Sequence, residues 1–346
     1  MSAENASRPK PSPAGPPGPV PRIRLSDPAA LVHAVPLILG VQHLSDDLVL
    51  LATQEGTTVL TARIDLNAVA EQVVWASIRH ALTKAAAEQV HLVAFPHEPV
   101  TDQVLESLHR DLVHLAATAP AWLTIGWVIT SAHGQWWLHD LNGSAPLGAG
   151  SAGREDPPVT LALKLARGVP AGSHQEVEAA TAPHPSAVLD GVRQALAALP
   201  QGRLRSVRRV AAGEALSVRR ERPVQWGAVE AAGVLDALMD VQVRDELVIR
   251  SDEAHTSWTW SSLLPFAPPA WVAPVATLAA FAAYQHGHSI LARVSLARAL
   301  DADPEYTLAR LLQQAMQMAM SPQDIRQHIL APAHDKLSPA SENGSL

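Results

Sequence analysis

Polar side chains capable of acid–base or metal-binding chemistry follow three predicted strands. Asp65 ends the second strand, His97 and Glu98 follow the third, and His133 follows the fourth. Ligands tend to bind beyond the carboxyl ends of parallel strands, where a carboxylate and an imidazole can share a proton or hold a cation. These four residues are therefore the candidate catalytic group. The structural alternative is that Asp65 caps the next helix and that His97 and Glu98 lie in a solvated loop.

An arginine-rich segment is the second candidate site. Seven arginines fall between residues 203 and 222, with only Glu214 and Glu221 opposed to them. Because guanidinium groups bind phosphate well, contact with phosphate or nucleic acid is one interpretation. The other is a solvated strand or loop whose arginines pair with acidic residues elsewhere in a chain of net charge −7. The candidate binding residues are Arg205, Arg208, Arg209, Arg219 and Arg220.

Composition and motifs argue against several other kinds of chemistry. The chain has no cysteine, which excludes disulfides, thiolate nucleophiles and cysteine-bound zinc. Its 16 histidines show no recognised metal-ligand spacing. The glycines of residues 148–153 lack the Lys-Ser/Thr ending of a phosphate loop. We therefore expect neither a metal nor a cofactor, and the net negative charge gives no general attraction to nucleic acid.

The elements that must position the first candidate group form a predicted mixed sheet. Residues 47–53 are an apolar run, and residues 58–66 alternate in polarity, so that Arg63 and Asp65 fall on the side expected to face water. Two further helix-then-strand patterns follow up to residue 130. Strands separated by helices should be parallel, and hairpins should add antiparallel neighbours at the sheet edges.

The pattern changes after a Gly-, Pro- and Ala-rich stretch, beyond which all regular patterns are helical. The predicted fold class is therefore α/β plus all-α, with an N-terminal mixed-sheet domain followed by a helical domain. The predicted divisions are a Pro-rich disordered tail at 1–24, the α/β domain at 25–141, a linker at 142–158, the helical domain at 159–332 and a disordered tail at 333–346.

The helical domain is expected to end in a tetratricopeptide-like helical hairpin at residues 273–306. Small residues, a turn glycine and a helix-terminating proline have the spacing that two closely packed helices require. They are Ala280, Gly287, Ala292, Ala299 and Pro304. A single unit of this kind cannot bury both of its faces, so it should stack on neighbouring helices or bind a partner.

Two sequence blocks, residues 25–51 and 292–309, resemble an actinobacterial family of uncharacterised proteins, the domain of unknown function 4192. A shorter match is at residues 243–247, and the likeness extends over about residues 25–329. Many members carry a cysteine-containing segment after the tryptophan-containing hairpin, which is predicted here at residues 122–141. The corresponding residues 136–144 of this chain have no cysteine. The resemblance implies no established activity.

The leading functional hypothesis is a soluble, cytoplasmic, non-catalytic binding or scaffold protein that uses its helical domain to bind a protein or peptide. One alternative is a hydrolase or transferase that acts on a small metabolite at the strand ends. The other is phosphate or nucleic-acid contact through the arginine segment. We expect no membrane span, because three prolines interrupt the apolar window at residues 266–284.

Overall fold

The computed structural model describes residues 27–69, 71–97, 101–141, 146–151, 173–219, 225–252, 256–318, 320–325 and residue 327. Strands fill much of the N-terminal part and helices the C-terminal part, which confirms the predicted α/β plus all-α class. Both predicted tails, residues 142–145 and 152–158 of the predicted linker, and residues 159–172 of the predicted helical domain lie outside the described residues.

A six-stranded mixed sheet organises the N-terminal part, with strand order β2-β1-β3-β4-β5-β6. The strands are β1 (Asp47–Gln54), β2 (Thr57–Asp65), β3 (Gln89–Phe95), β4 (Thr124–Ala132), β5 (Gln135–His139) and β6 (Pro146–Ser151). The helices of this part are α1 (Pro28–Leu39), α2 (Gln72–Lys84) and α3 (Asp102–Ala117). As predicted, β3 and β4 are parallel across α3, and the β1–β2 and β4–β5 hairpins are antiparallel.

Residues 146–151 form strand β6, although their sequence predicts a linker. Their backbone pairs antiparallel with β5. Glycine is required because the indole of Trp136 lies over this strand, and a Cβ added at Gly150 would sit 2.7 Å from it. The small residues that favour a linker in the sequence therefore form an additional strand of the sheet, covered by the side chain of Trp136.

Both faces of the sheet are covered. On one face α2 and α3 pack on a cluster that includes Leu48, Leu50 and Leu92. On the other, α1 packs on a cluster that includes Val49 and Val93. The second cluster also contains residues from the helical part of the chain, so the helical part packs directly on the sheet. These are Val177, Ile290 and Val294.

The helical part begins with α4 (His174–Thr181), α5 (Ser186–Ala197) and α6 (Arg205–Arg219). It continues with α7 (Ala228–Leu238), α8 (Val241–Ile249), α9 (Thr256–Leu263), α10 (Pro269–Gln285), α11 (Ser289–Ala302), α12 (Thr307–Gln317) and α13 (Pro322–Ile325). Three-residue 3-10 turns lie at Leu66–Ala68, Arg250–Asp252 and Leu264–Phe266. No helix among the described residues has the length and apolar character needed to cross a bilayer.

Helices α10 and α11 form a helical hairpin within the predicted region, joined through Gly287 at φ +73°. Ala280, Ala292 and Ala299 are each 0% exposed, as expected for positions of close helix approach. One face of α11 packs on the sheet through Ile290 and Val294, while another packs in the core of the helical part. Since both faces are occupied, the hairpin joins the two parts of the chain and leaves little surface for a peptide groove.

Candidate functional site

The carboxyl ends of β2, β3 and β4 share one edge of the sheet. Strand β1 is antiparallel to both β2 and β3, and β4 is parallel to β3, so these three strands run in one direction. However, β1 separates β2 from β3, which places the ends at Asp65 and His97 about 10 Å apart at a strand spacing of ~4.8 Å. His133 lies in the β4–β5 turn, one strand further away. The four predicted residues therefore form no single group, and Glu98 lies outside the described residues.

Asp65 serves as a cap. Its Oδ1 accepts hydrogen bonds from the backbone N of Asn67 at 2.8 Å and from Nδ2 of Asn67 at 3.0 Å. These bonds begin the 3-10 turn Leu66–Ala68 that follows β2. This geometry matches the structural alternative given for Asp65 from the sequence.

His97 joins the end of β3 to the residues that precede β1. Its backbone N donates to Asp46 Oδ1 at 3.1 Å, and its Nδ1 lies 3.1 Å from the hydroxyl of Ser45. The side chain is 71% exposed, with Nδ1 3.6 Å from Asp46 Oδ2. His97 thus contacts the residues just before β1, whereas Asp65 pairs with the first residue of that strand.

That first residue is Asp47, which pairs across the sheet with Asp65 on β2 and Phe95 on β3. The Asp47 side chain is 1% exposed, and its Oδ1 lies 2.5 Å from Arg63 Nη2. The backbone N of Ser45 donates to Asp47 Oδ2 at 3.3 Å. Burial raises the pKa of Asp47, and the positive charge of Arg63 opposes that shift. An ion pair is therefore buried where β1 begins.

Arg63 lies on β2 with a side chain that is only 11% exposed. Its Nη2 contacts Asp47, but among the residues that the structure describes its buried Nε has no hydrogen-bond partner. The prediction that Arg63 faces water is wrong, because alternation along β2 shows which residues share a face but not what covers that face. The helical part of the chain covers it.

Two residues of the helical part complete the group. His174 begins α4, and its pKa is lowered by burial and then by the charge of Arg63. Arg293 lies on α11, and its pKa is likewise lowered by burial and by Arg63, against the opposing charges of Asp47 and Asp65. We call the five residues the strand-end cluster: Asp47, Arg63, Asp65, His174 and Arg293.

Arg293 differs from the other arginine of the cluster in its partners. Within the described part of the chain, its guanidinium makes neither a hydrogen bond nor an ion pair. As a residue it remains exposed to solvent, although neighbouring atoms partly desolvate its charge. The imidazole of His174 is 38% exposed at the same place. A molecule from solvent can therefore reach a guanidinium and an imidazole beside the buried ion pair.

The backbone next to the cluster is strained. Asp46 has φ +60°, a left-handed conformation that costs ~1–3 kcal/mol for many non-glycine residues. Among the other described non-glycine residues with positive φ, Glu55 and His133 lie in hairpin turns and Ala86 follows a helix. Asp46 is at neither kind of turn, and its side chain and carbonyl hold His97 and Leu66.

The arginine segment is the amphipathic helix α6, not the strand or loop considered from the sequence. Its buried stripe includes Ala212, Ala215 and Leu216. Arginines on the first two turns of α6, and one that precedes the helix, bind carboxylates. These carboxylates lie on α7, on α8 and in the short connection between those two helices. Arg208 binds Asp236 through two hydrogen bonds of 3.1 and 2.9 Å, and Arg203 joins the same carboxylate at 2.9 Å.

The remaining pairs of this segment follow the same pattern. Arg205 Nε lies 3.0 Å from both oxygens of Asp240, and Arg209 Nε donates to Glu246 Oε2 at 2.6 Å. The pKa values of Arg208 and Arg209 are raised by these hydrogen bonds. Three of the predicted phosphate ligands thus already hold carboxylates. Arg219 ends α6, and Arg220 lies outside the described residues.

A second buried polar network lies on the opposite face of the sheet. His139 Nε2 is 2.7 Å from the hydroxyl of Thr130, and His139 Nδ1 is 2.7 Å from Nδ1 of His109 on α3. Thr130 is 0% exposed and His139 is 4% exposed, so no substrate reaches the hydroxyl. Burial, with a smaller contribution from His109, lowers the pKa of His139 to about 4. This network links α3 to the sheet.

The sequence model of one family, described as domain of unknown function (DUF4192), matches residues 28–323. The match covers most of the chain, and the chain therefore belongs to this family, as the two sequence blocks suggested. No curated protein and no solved structure matches the chain. Because the family's description names no activity, the function has to be argued from the geometry of the site.

Proposed function

We propose that this member of the domain of unknown function 4192 family binds a small metabolite carrying a carboxylate or phosphate group, and that it does so at the strand-end cluster. The observation that carries the proposal is the position of Arg293. Its guanidinium lies near that of Arg63 and has no partner in the described part of the chain. Charge-assisted bonds from an anion would relieve this repulsion.

The other groups of the cluster suit recognition better than catalysis. Asp47, whose pKa is raised, is 1% exposed and held by Arg63, so it is not placed to exchange protons with a substrate in solvent. His174 is open to solvent, and its lowered pKa favours the neutral form, which can donate one hydrogen bond without adding charge. The carboxylate of Asp65 would repel any ligand that places additional negative charge close to it.

The location supports a role for ligand in joining the two parts of the chain. Arg63 comes from the sheet, whereas Arg293 comes from a helix of the hairpin that packs on it. An anion bound by both would add to that contact. Binding by the folded state alone stabilises a protein by about 2.7 kcal/mol at a ligand concentration of 100 times the dissociation constant.

The test is thermal unfolding and calorimetric titration with inorganic phosphate, pyrophosphate and citrate. We expect at least one of these anions to raise the melting temperature of the wild-type protein in a saturable way. Arg293→Gln should abolish that rise. Arg193→Gln, which removes an exposed arginine of α5 outside the cluster, should preserve it. Equal shifts in the wild type and Arg293→Gln would overturn the proposal.

A second candidate function, binding of a protein or peptide by the helical domain, is favoured by one specific surface. Leu204, Val207 and Val210 are 70%, 46% and 56% exposed at three-residue spacing on and just before α6. Val210 also borders an open groove formed with Gly213 and Arg250. Contiguous exposed apolar residues are typical of interaction sites.

The double variant Val207→Asp/Val210→Asp tests this surface. Proteins that co-purify with the wild type from the native host should be absent when the variant is purified in the same way. The helical circular dichroism of the variant should stay unchanged. Recovery of the same proteins with the variant and the wild type would exclude this surface as the binding face.

A further inference from the structure

His174 lies at the junction between the sheet and the helical part of the chain. It is the first residue of α4, and the hydroxyl of Ser173 caps that helix by accepting a backbone hydrogen bond at 3.2 Å. One turn further on, Val177 packs with Ile290 and Val294 of α11 in the cluster on the sheet. Helix α4 is thus held against both the sheet and the hairpin. The imidazole of His174, which is 38% exposed, reaches solvent from this fixed backbone position.

The surroundings of this imidazole oppose its protonation. Partial burial is the main reason that the pKa of His174 is lowered, and the positive charge of Arg63 on β2 adds to that effect. The guanidinium of Arg293 on α11 acts in the same direction. The amino end of α4 also carries the partial positive charge of a helix N-terminus, which disfavours a cation there. The neutral imidazole is therefore favoured in the free protein.

Two carboxylates act against this effect without cancelling it. Glu178 lies one turn along α4 with its Oε1 3.8 Å from Nε2 of His174, but its side chain is 57% exposed, where solvent screens the charge. Asp47 on β1 is buried and held by Arg63. Helix α9 and the 3-10 turn Leu264–Phe266, which also contact α4, carry no ionisable side chain. Among the described residues, two arginines, two carboxylates and a helix end therefore set the charge of this imidazole.

We propose that anion binding at the strand-end cluster is coupled to proton uptake by His174, so that the site holds its ligand more tightly as the pH falls below neutrality. This inference rests on the function proposed above and adds its regulation. An anion held by Arg293 brings negative charge to the place where two guanidinium groups oppose the imidazolium form. The protonated imidazole in turn donates a charge-assisted hydrogen bond, which is stronger than the bond from the neutral ring.

The direction of the pH dependence follows from linkage between the two equilibria. A ligand that raises the pKa of His174 must bind the protonated protein more tightly by the same factor. An opposite charge within ~4–6 Å shifts a pKa by about one unit or more, and one unit corresponds to about a tenfold change in affinity. The gain in affinity should begin as the pH falls through the pKa of the bound form, and it should be complete below the lowered pKa of the free form.

The first test is calorimetric titration with inorganic phosphate, pyrophosphate and citrate at pH 7.5 and pH 5.5. On acidification the wild type should gain about three- to sixfold more affinity than His174→Gln. Glutamine keeps a hydrogen-bond donor but takes up no proton, and the ionisation of each ligand cancels in the comparison. The control His114→Gln, at an exposed position on α3, should behave as the wild type.

The second test does not require the variant to bind. The imidazole C2–H signal of His174, identified by its absence from the spectrum of His174→Gln, reports the pKa in nuclear magnetic resonance titrations of the wild type. That pKa should rise by about one unit at saturating ligand. If none of the three anions bound saturably, the proposed function would fail together with the coupling. Saturable binding with an unchanged pKa of His174, or with equal pH dependence in the wild type and His174→Gln, would overturn the coupling alone.

Discussion

The buried imidazole of His139 should make the stability of this protein depend on pH in a measurable way. Its pKa is lowered from 6.5 to about 4, mainly by burial. The side chain is 4% exposed, so solvent screening reduces the effect little. A difference of about 2.5 pKa units corresponds to about 3 kcal/mol between the two protonation states.

The sign follows from which state takes up the proton. As the pH falls below about 6.5 the unfolded chain protonates His139, whereas the folded chain does so only near pH 4. The stabilisation from a neutral His139 is therefore complete above pH 6.5 and is lost as the pH falls toward 4. For these two pKa values, the loss at pH 5 is about 2 kcal/mol.

Urea unfolding of the wild type and His139→Gln at pH 7.5 and pH 5.0 measures this quantity. Glutamine does not titrate, so the free energy of unfolding of the variant should fall by about 2 kcal/mol less than that of the wild type between the two pH values. Contributions from Asp47 and His174 cancel in the double difference. His114→Gln, at an exposed position on α3, should behave as the wild type. Equal pH losses within about 0.5 kcal/mol would refute the assignment.

Two further predictions concern stability. Ala292→Leu should lower the free energy of unfolding by about 1–3 kcal/mol, because this position on α11 is 0% exposed and has no room for a larger side chain. Ala302→Leu, at an exposed position, should have no clear effect. Equal tolerance of both changes in thermal melts would show that the spacing of small residues has no packing role. Asp65→Ala should lower the free energy of unfolding by about 1 kcal/mol, because it removes the hydrogen bond that caps the backbone N of Asn67. Asp65→Asn should lower it less. An unchanged urea midpoint for Asp65→Ala would contradict the capping role.

Most of the fold could be predicted because local patterns determined it. The apolar run of β1 and the alternation of β2 specify a hairpin with one buried face, and the helix between β3 and β4 requires a parallel crossover. The sequence did not reveal β6, because glycine and alanine give no apolar signal. Pairing across the sheet, with Trp136 over Gly150, determines that strand.

The candidate site was predictable in its location but not in its members. The edge of the sheet followed from strand direction, and Asp65 and His97 do lie there. The pairing partners of β1 depend on strand order, which no short segment encodes. Asp47 and Arg293 are separated by 246 positions in the sequence, and only tertiary packing brings α11 to the sheet. The one local signal was Arg63, a charged residue on a hairpin strand, although its side of β2 was predicted to face water.

Costs to stability concentrate at one edge of this sheet. The carboxyl group of Asp47 is removed from solvent, the buried Nε of Arg63 has no hydrogen-bond partner in the described part of the chain, and Asp46 adopts a left-handed backbone. A buried ion pair is often no more stabilising than apolar residues of the same volume, so stability alone gives little reason for it. Features that work against stability tend to persist where a site requires polar groups in fixed positions. They coincide beside Arg293, whose guanidinium has no partner among the described residues. This is the physical reason to look for the ligand at this edge and not along the carboxylate-paired arginines of α6.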